Sequence, residues 1–329
     1  MGKRISIIIP HYNSVNKLKR LLQSIEIKKY QELLEVIIID DKSTDDTSGI
    51  KEIVDSSVEM DLYFYLNNGV KGAGTCRNLG IEKAIGEWII FADADDYFLP
   101  DYISTLCDDL NSSADIIYFL SSSMDEKTNE LSDRHEGLNN LILSYQNEKT
   151  KENEILLRTK FLVPWSKMYR TEFIKTNDIK FDEILVSNDV MFSVKSGLLA
   201  NEIQTSRKHL YCVTKDSGTL TTSYDKDKFN IRINTLLNYN LYLKKRLSKE
   251  TYKMINITGL HWLIESNYYE FSLAEKLRLI KIFRDNKIPI ISIRQINIEK
   301  VKRNIKKILK TRQNKKKELN KCQRKKKYC

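Results

Sequence analysis

The sequence predicts an α/β fold, a mostly parallel sheet flanked by helices, with a helical extension and a basic tail after it. Three observations lead there. The runs Arg4–Ile9, Val36–Ile39 and Trp88–Phe91 are apolar almost throughout rather than alternating, as strands covered on both faces are. Helical stretches separate them, the first marked by Leu18, Leu21, Leu22 and Ile25 on one face. All three strands also run into polar or acidic residues: His11-Tyr12-Asn13, Asp40-Asp41, and Asp93-Ala94-Asp95-Asp96. Bare charges are too costly inside a sheet, so these residues belong at its carboxyl edge, where open α/β folds bind ligands.

Taken in order, Arg4–Ile9 is the first strand and 18–25 the first helix. Val36–Ile39 is the second strand, and the Ser43-Thr44-Asp45-Asp46 run has the spacing of a capping box that opens a second helix at Ser43. Leu62–Leu66 and Trp88–Phe91 are strands with a helix around Thr75–Ala84 between them, and Asp115–Phe119 is another strand. Residues 121–160 are polar and read as a variable insertion over the site. From Pro164 to Tyr211, short strands and helices complete the domain. Beyond about Asp225 the pattern turns helical over Phe229–Leu247, Tyr252–Tyr269 and Leu273–Asp285. The expected organisation is one α/β domain over 1–225, a helical extension over 226–295 and a tail over 296–329.

The net charge of +11 is not spread along the 329 residues. Residues 300–329 hold 15 Lys or Arg against one acidic residue, Glu318, so this tail carries +14 and the remainder sums to −3. The five cysteines show no CxxC or metal-ligand spacing, as expected of reduced thiols in a cytoplasm. No apolar run approaches the roughly 20 residues of a membrane span, and the first one is too short for a signal peptide. The tail places Ile298, Val301, Ile305, Ile308 and Leu309 on one helical face amid lysines. That pattern suits an anionic membrane surface.

The chemistry concentrates at the strand ends. Hard carboxylate oxygens at Asp93, Asp95 and Asp96 suit Mg²⁺ or Mn²⁺, and such an ion suits a diphosphate. An aspartate at the end of the second strand can accept from a pyrimidine N3–H, and Tyr12 can stack on a base; Asp41 reads equally as a helix cap. The loop Gly69–Gly80 fails the dinucleotide fingerprint because Arg77 stands where GxGxxG needs glycine. His11, His135, His209 and His261 are too dispersed for a zinc site.

Six motifs stand in order: PHYN at 10–13, IIIDDKSTDDT at 37–47, GAGTCRNLG at 72–80, FADADDYFLPD at 91–101, PWSKMYR at 164–170 and SNDVMF at 187–192. Together they resemble the inverting family 2 glycosyltransferases of GT-A fold. The resemblance covers about residues 4–225. It implies that Pro10, Tyr12, Asp41 and Arg77 build the nucleotide-base pocket with Asp40 beside them, and that Asp93 lies near the ribose. Asp95 then binds the divalent metal on the diphosphate. Asp189 matches the catalytic base, which sits on the face opposite the leaving diphosphate; Asn188 replaces the Glu of the more usual Glu-Asp pair. Trp165 and Lys167 match the acceptor-side segment. The implied reaction moves a hexosyl unit from a UDP-sugar to a glycan or lipid-linked acceptor in surface polysaccharide synthesis, lipopolysaccharide core or capsule, at the cytoplasmic face of the inner membrane.

Two other classes are weighed. A nucleotidyltransferase needs a glycine-rich phosphate loop after the first strand, where this chain has Pro10-His11-Tyr12-Asn13. A nucleic-acid-binding protein would suit the +14 tail, but the near-neutral body has no basic groove, so no nucleic-acid partner is expected.

Overall fold

The computed structural model describes residues 4–45, 48–50, 61–215 and 225–292. The chain divides into two compact units, residues 1–255 and 256–329.

The first unit is built on a nine-stranded sheet. Its strands are β1 (Ile5–His11), β2 (Leu34–Asp40), β3 (Leu62–Leu66), β4 (Trp88–Phe91), β5 (Tyr97–Phe98), β6 (Ile116–Asp125), β7 (Glu130–Leu131), β8 (Lys167–Arg170) and β9 (Ile203–Lys215). The order is β3-β2-β1-β4-β8-β6-β9-β5, with β7 on β6. β3, β2, β1 and β4 run parallel, as do β6 and β9, while β8 enters antiparallel between β4 and β6.

The uninterrupted apolar strands have the cause expected of them. Ile7, Ile9, Val36, Ile38 and Ile90 enter one core with Leu18, Leu21 and Ile25 of the helix Val15–Ile25. Ile8, Ile37, Ile39, Ile89 and Phe91 enter a second core on the other face with Cys76 and Ile81 of the helix Ala73–Lys83. Successive strand residues point to opposite faces, so a sheet covered on both sides needs apolar residues at every position.

Two expectations are revised, at Ser43 and over 252–269, and residues 121–160 gain defined elements. No helix opens at Ser43: its N–H donates to Asp40 Oδ2 at 3.0 Å and its hydroxyl accepts from the Asn13 N–H. These bonds commit residues 40–43 to a turn, and the next described helical residues are 48–50. Residues 121–160 are well organised, as the end of β6, the short β7, and the helices Glu136–Asn147 and Lys151–Lys160. The buried Asn139 side chain anchors this segment by bonding both the N–H and C=O of Ser121. Over 252–269 there are two helices, Lys249–Ile255 and Leu260–Glu265, because Asn256 adopts a left-handed φ of 55° between them. The helix Lys226–Arg246 belongs to the first unit, where the Tyr239 hydroxyl donates to Thr159 O at 2.9 Å.

In the second unit, a capping box at Ser272 and Glu275 starts the helix Leu273–Asp285. Its Phe283 packs so tightly on Gly259 that a Cβ there would collide with the ring. The amphipathic face at 298–309 lies outside the described residues.

Candidate active site

The carboxyl ends of β1, β2 and β4 lie side by side and bring the predicted residues together. Pro10 pairs with Ile39, and His11 with Asp40. Tyr12 projects beyond the strand, 42% exposed, with Lys71 Nζ 3.7 Å from its ring centroid. Asp41 is buried, and its Oδ1 accepts from Asn67 Nδ2 at 2.7 Å and from the Gly72 N–H at 3.0 Å. Those two bonds fix the glycine loop against the strand end.

Asp40 has a different surrounding from its neighbour. Its Oδ1 accepts from His11 Nδ1 at 2.9 Å, and its Oδ2 accepts from the Ser43 N–H. The Ser14 N–H donates to His11 Nε2 at 3.2 Å, which places the imidazole proton on Nδ1. Burial pushes the Asp40 carboxyl up, but the hydrogen bonds from Ser43 and His11 outweigh it and hold the group below its ordinary value. With both oxygens engaged, Asp40 shapes the 40–43 turn rather than facing open space.

Arg77 is the junction of the site. It rises from the helix Ala73–Lys83, whose start is pressed against residues 182–188. Gly72 there takes a φ of 148°, and a Cβ on Gly74 would collide with the Asp182 carbonyl oxygen. This close approach lets the buried guanidinium donate to Asn188 Oδ1 at 2.9 Å and to Asp93 Oδ1 at 2.5 Å. The stacked rings of Phe181 and Phe192, 3.8 Å apart, meet Phe91 edge-on and hold the 181–192 segment on the end of β4.

Asp189 follows Asn188 and opens the helix Asp189–Leu199, where the helix dipole favours a negative charge. Burial nevertheless raises its pKa, and Asp93 raises it further, with Arg77 and Lys167 opposing. Lys167 itself is 1% exposed, donates to Phe161 O at 2.8 Å, and is ringed by Phe161, Tyr118 and Tyr169. Burial drives its pKa well down. Trp165 is also buried and stacks on Tyr211 with centroids 6.1 Å apart. Both acceptor-side candidates thus lie beneath the site, packed among aromatic rings.

The Asp93–Asp96 turn is clamped from β9, which no local pattern indicates. The Asp93 N–H donates to Tyr211 Oη at 2.8 Å, the Thr214 N–H to Asp96 Oδ1 at 2.7 Å, and the Thr214 hydroxyl to Asp95 O at 2.6 Å. Arg20 adds a hydrogen bond to Asp95 O. Sequence reasoning missed Tyr211 and Thr214, which lie on β9 and are placed by its pairing with β5 and β6, and Arg20, which reaches the turn from the helix Val15–Ile25.

The same turn bears on metal binding. Burial raises the Asp95 and Asp96 carboxyls, and the neighbouring aspartates raise them further. No described side chain donates a hydrogen bond to the Asp95 carboxylate, whose nearest cationic influences are Lys17 and Arg134. A divalent cation would relieve that repulsion, so the residues fit one. Among the described residues no three His, Cys, Asp or Glu side chains converge as a complete ligand set. Mg²⁺-type ions commonly bind through one or two carboxylates, with phosphate oxygens and water completing the shell. A cavity of about 720 Å³ lies elsewhere, lined by Asn67, Gly69, Asn78, Glu82, Lys175 and Ile179 among others, and contains none of these carboxylates.

The chain is similar to several known proteins. Over 221 residues the chain is 30% identical to the poly(ribitol-phosphate) β-N-acetylglucosaminyltransferase TarS of Staphylococcus aureus, covering 65% of this chain and 36% of TarS. It thus spans about a third of that relative's length. The structure of TarS 1–349 in complex with UDP-GlcNAc superposes with a TM-score of 0.62 at 21% identity, covering 86% of this chain and 80% of that one. The mannosyltransferase PcManGT of Pyrobaculum calidifontis, in complex with GDP-Man and Mn²⁺, gives 0.53 at 14% identity over 87% and 76%. A GalNAc(5)-diNAcBac-PP-undecaprenol β-1,3-glucosyltransferase of Campylobacter jejuni is 29% identical over 134 residues, 41% of this chain and 42% of that protein. The likeness to solved structures establishes the sheet and its flanking helices as a GT-A-type fold. The family profile described as glycosyl transferase family 2 matches residues 6–177, more than half the sequence, and on that match the chain belongs to glycosyl transferase family 2.

Proposed function

We propose that this chain transfers a hexosyl unit from a UDP-sugar to a hydroxyl of a cell-surface glycan, with inversion and with a divalent ion on the diphosphate. The observation that carries the reading is the Arg77 bridge. One guanidinium ties the strand-end carboxylate Asp93 to Asn188, and so sets the proposed nucleotide side beside the proposed base.

In this reading Tyr12 stacks on the uracil, and Asp41 accepts its N3–H on the oxygen left by Asn67 and Gly72. Pro10 shapes the pocket floor, Asp40 holds the turn, and Arg77 and Asp93 bracket the ribose. Asp95 would hold Mn²⁺ or Mg²⁺ together with the donor's own phosphate oxygens, and such an ion offsets negative charge on a leaving diphosphate. Asp189 takes the proton from the acceptor hydroxyl as its oxygen forms a bond to the anomeric carbon. The bond from that carbon to the diphosphate breaks, and UDP leaves with the electron pair. A raised pKa suits Asp189 to this work at near-neutral pH, where a stronger base transfers the proton more readily. Trp165 and Lys167 support the acceptor side from below.

The name of the Staphylococcus aureus relative gives a poly(ribitol-phosphate) acceptor and that of the Campylobacter jejuni relative an undecaprenol-diphosphate-linked glycan, which supports a polymeric or lipid-linked acceptor, read here as a surface polysaccharide of lipopolysaccharide-core or capsule type. No helix among the described residues is long and apolar enough to cross a membrane. A basic tail resting on the cytoplasmic face of the inner membrane would bring the catalytic unit to a lipid-linked acceptor. The deciding experiment incubates the full-length protein with a panel of UDP- and GDP-sugars and Mn²⁺ and measures nucleotide release. UDP release from one UDP-sugar is expected. Release from GDP-sugars alone would overturn the donor assignment, and release from none, with glycan acceptors supplied, would overturn the activity.

A further inference from the structure

The helix Leu273–Asp285 of the second unit has two apolar faces, and only one is used. Leu279 and Phe283 are buried, with Phe283 fully enclosed. Leu273, Leu277 and Ile280 fall on another face at the i, i+4, i+7 spacing of one helical stripe. They are 74%, 58% and 37% exposed. The stripe is not a fraying end, because the Ser272–Glu275 capping box fixes the first turn with bonds of 2.6 and 3.3 Å.

The residues around the stripe identify what covers it. Lys276, Lys281 and Arg284 stand on its two sides or within it, and Lys281 and Arg284 are exposed. The helix has two acidic residues: Glu275 is engaged in the capping box, and Asp285 lies 3.7 Å from Arg284. An apolar stripe edged by long basic side chains matches the boundary between acyl chains and anionic headgroups, where lysine and arginine stems run along the apolar surface and their charges reach outward. A second copy of the chain would bring the same positive rim against itself. The sequence beyond Ser292 continues the sign, with 15 basic residues and one acidic residue over 300–329, so this chain's own tail is equally poor in complementary charge.

We propose that the Leu273–Leu277–Ile280 face docks in the plane of an anionic lipid bilayer, adding a second apolar contact beside the basic tail. Weak membrane signals hold stably only in pairs, and this face with the tail makes such a pair. The inference deepens the membrane part of the functional reading and is independent of the donor and the catalytic residues.

The test uses the full-length protein with phosphatidylglycerol-containing vesicles and with pure phosphatidylcholine vesicles. Wild-type protein is expected to sediment with the anionic vesicles. The triple variant Leu273→Ser/Leu277→Ser/Ile280→Ser, with the tail intact, is expected to lose at least tenfold in partitioning while UDP release is unchanged. Equal binding by variant and wild type would overturn the role of this face and leave the tail reading standing. Indifference of the wild type to anionic vesicles would overturn both, with the catalytic reading unaffected. A photoreactive benzophenone side chain installed at Leu277 settles the occupant independently of any stability change. Cross-links to lipid support the proposal, whereas cross-links to a second chain or to residues 293–329 overturn it.

Discussion

Arg77 and Asp93 form an ion pair with 2.5 Å between Nη2 and Oδ1, the guanidinium side chain 7% exposed and the carboxylate 30%. The other arm of the guanidinium holds Asn188, so one side chain joins the end of β4 to the loop that delivers Asp189. Removing it leaves a carboxylate short of its partner and frees the 182–188 segment. Arg77→Met should therefore destabilise the first unit by roughly 2–4 kcal/mol, somewhat below the cost of breaking a fully buried pair because Asp93 keeps access to water. Urea unfolding measures it, and a change under ~0.5 kcal/mol would show that the bridge is not a structural tie.

Asp95→Ala should leave the fold intact, since the clamp on this turn runs through the Asp95 carbonyl oxygen and not its carboxylate. Affinity for UDP should become independent of Mn²⁺ while the metal-free affinity is retained. Calorimetry with and without the ion tests this directly. An unchanged Mn²⁺-dependent gain in the variant would remove Asp95 from the metal assignment.

Asp189→Asn should lower turnover by about two or more orders of magnitude, within the range for loss of a general base, with donor affinity nearly unchanged. The pH profile gives a separate check. Burial, then Asp93, raises the Asp189 pKa, and the base works only when ionised. The acid limb of kcat/KM should therefore lie above the ordinary carboxylate value and be absent from the residual activity of the Asn variant. A limb unchanged by the substitution would assign it to another group.

Much of this was legible in the sequence because the physics was local. Strands buried on both faces must be apolar at successive positions, so β1, β2 and β4 announced themselves, and acidic residues ending such strands had to lie at a sheet edge. What could not be read depends on distant pairing. Tyr211 and Thr214 grip the 93–96 turn because β9 pairs with β5 and β6, and they stand 118 residues away in sequence from the aspartates they bond. The Ser43 helix start failed for a related reason: Asp40 and Asn13 compete for the groups a capping box would use. From sequence Lys167 is matched only to the acceptor-side segment, and nothing local shows that Phe161, Tyr118 and Tyr169 enclose its ammonium group.

Asp96 is the most enclosed of the three turn aspartates, at 2% exposure. Its carboxyl is pushed well up, first by burial and then by Asp95 and Asp93. The sign of the consequence follows from proton counting. Above the ordinary value of 3.8 the unfolded chain releases this proton while the folded protein retains it. Stability attributable to Asp96 thus falls as pH rises from about 3.8 through the raised value, and the loss is complete above it. Asp96→Asn keeps an oxygen to accept the Thr214 N–H and deletes the titration. At neutral pH and without divalent ions it should raise Tm, and it should flatten the fall in stability as pH rises above the ordinary carboxylate value. Added Mn²⁺ should narrow the gap, because the ion offsets the crowded charge in the wild-type protein. Thermal melts of both proteins across that pH range decide the matter. Parallel pH profiles would mean that Asp96 stays ionised in the fold, and that the turn tolerates three adjacent negative charges unaided.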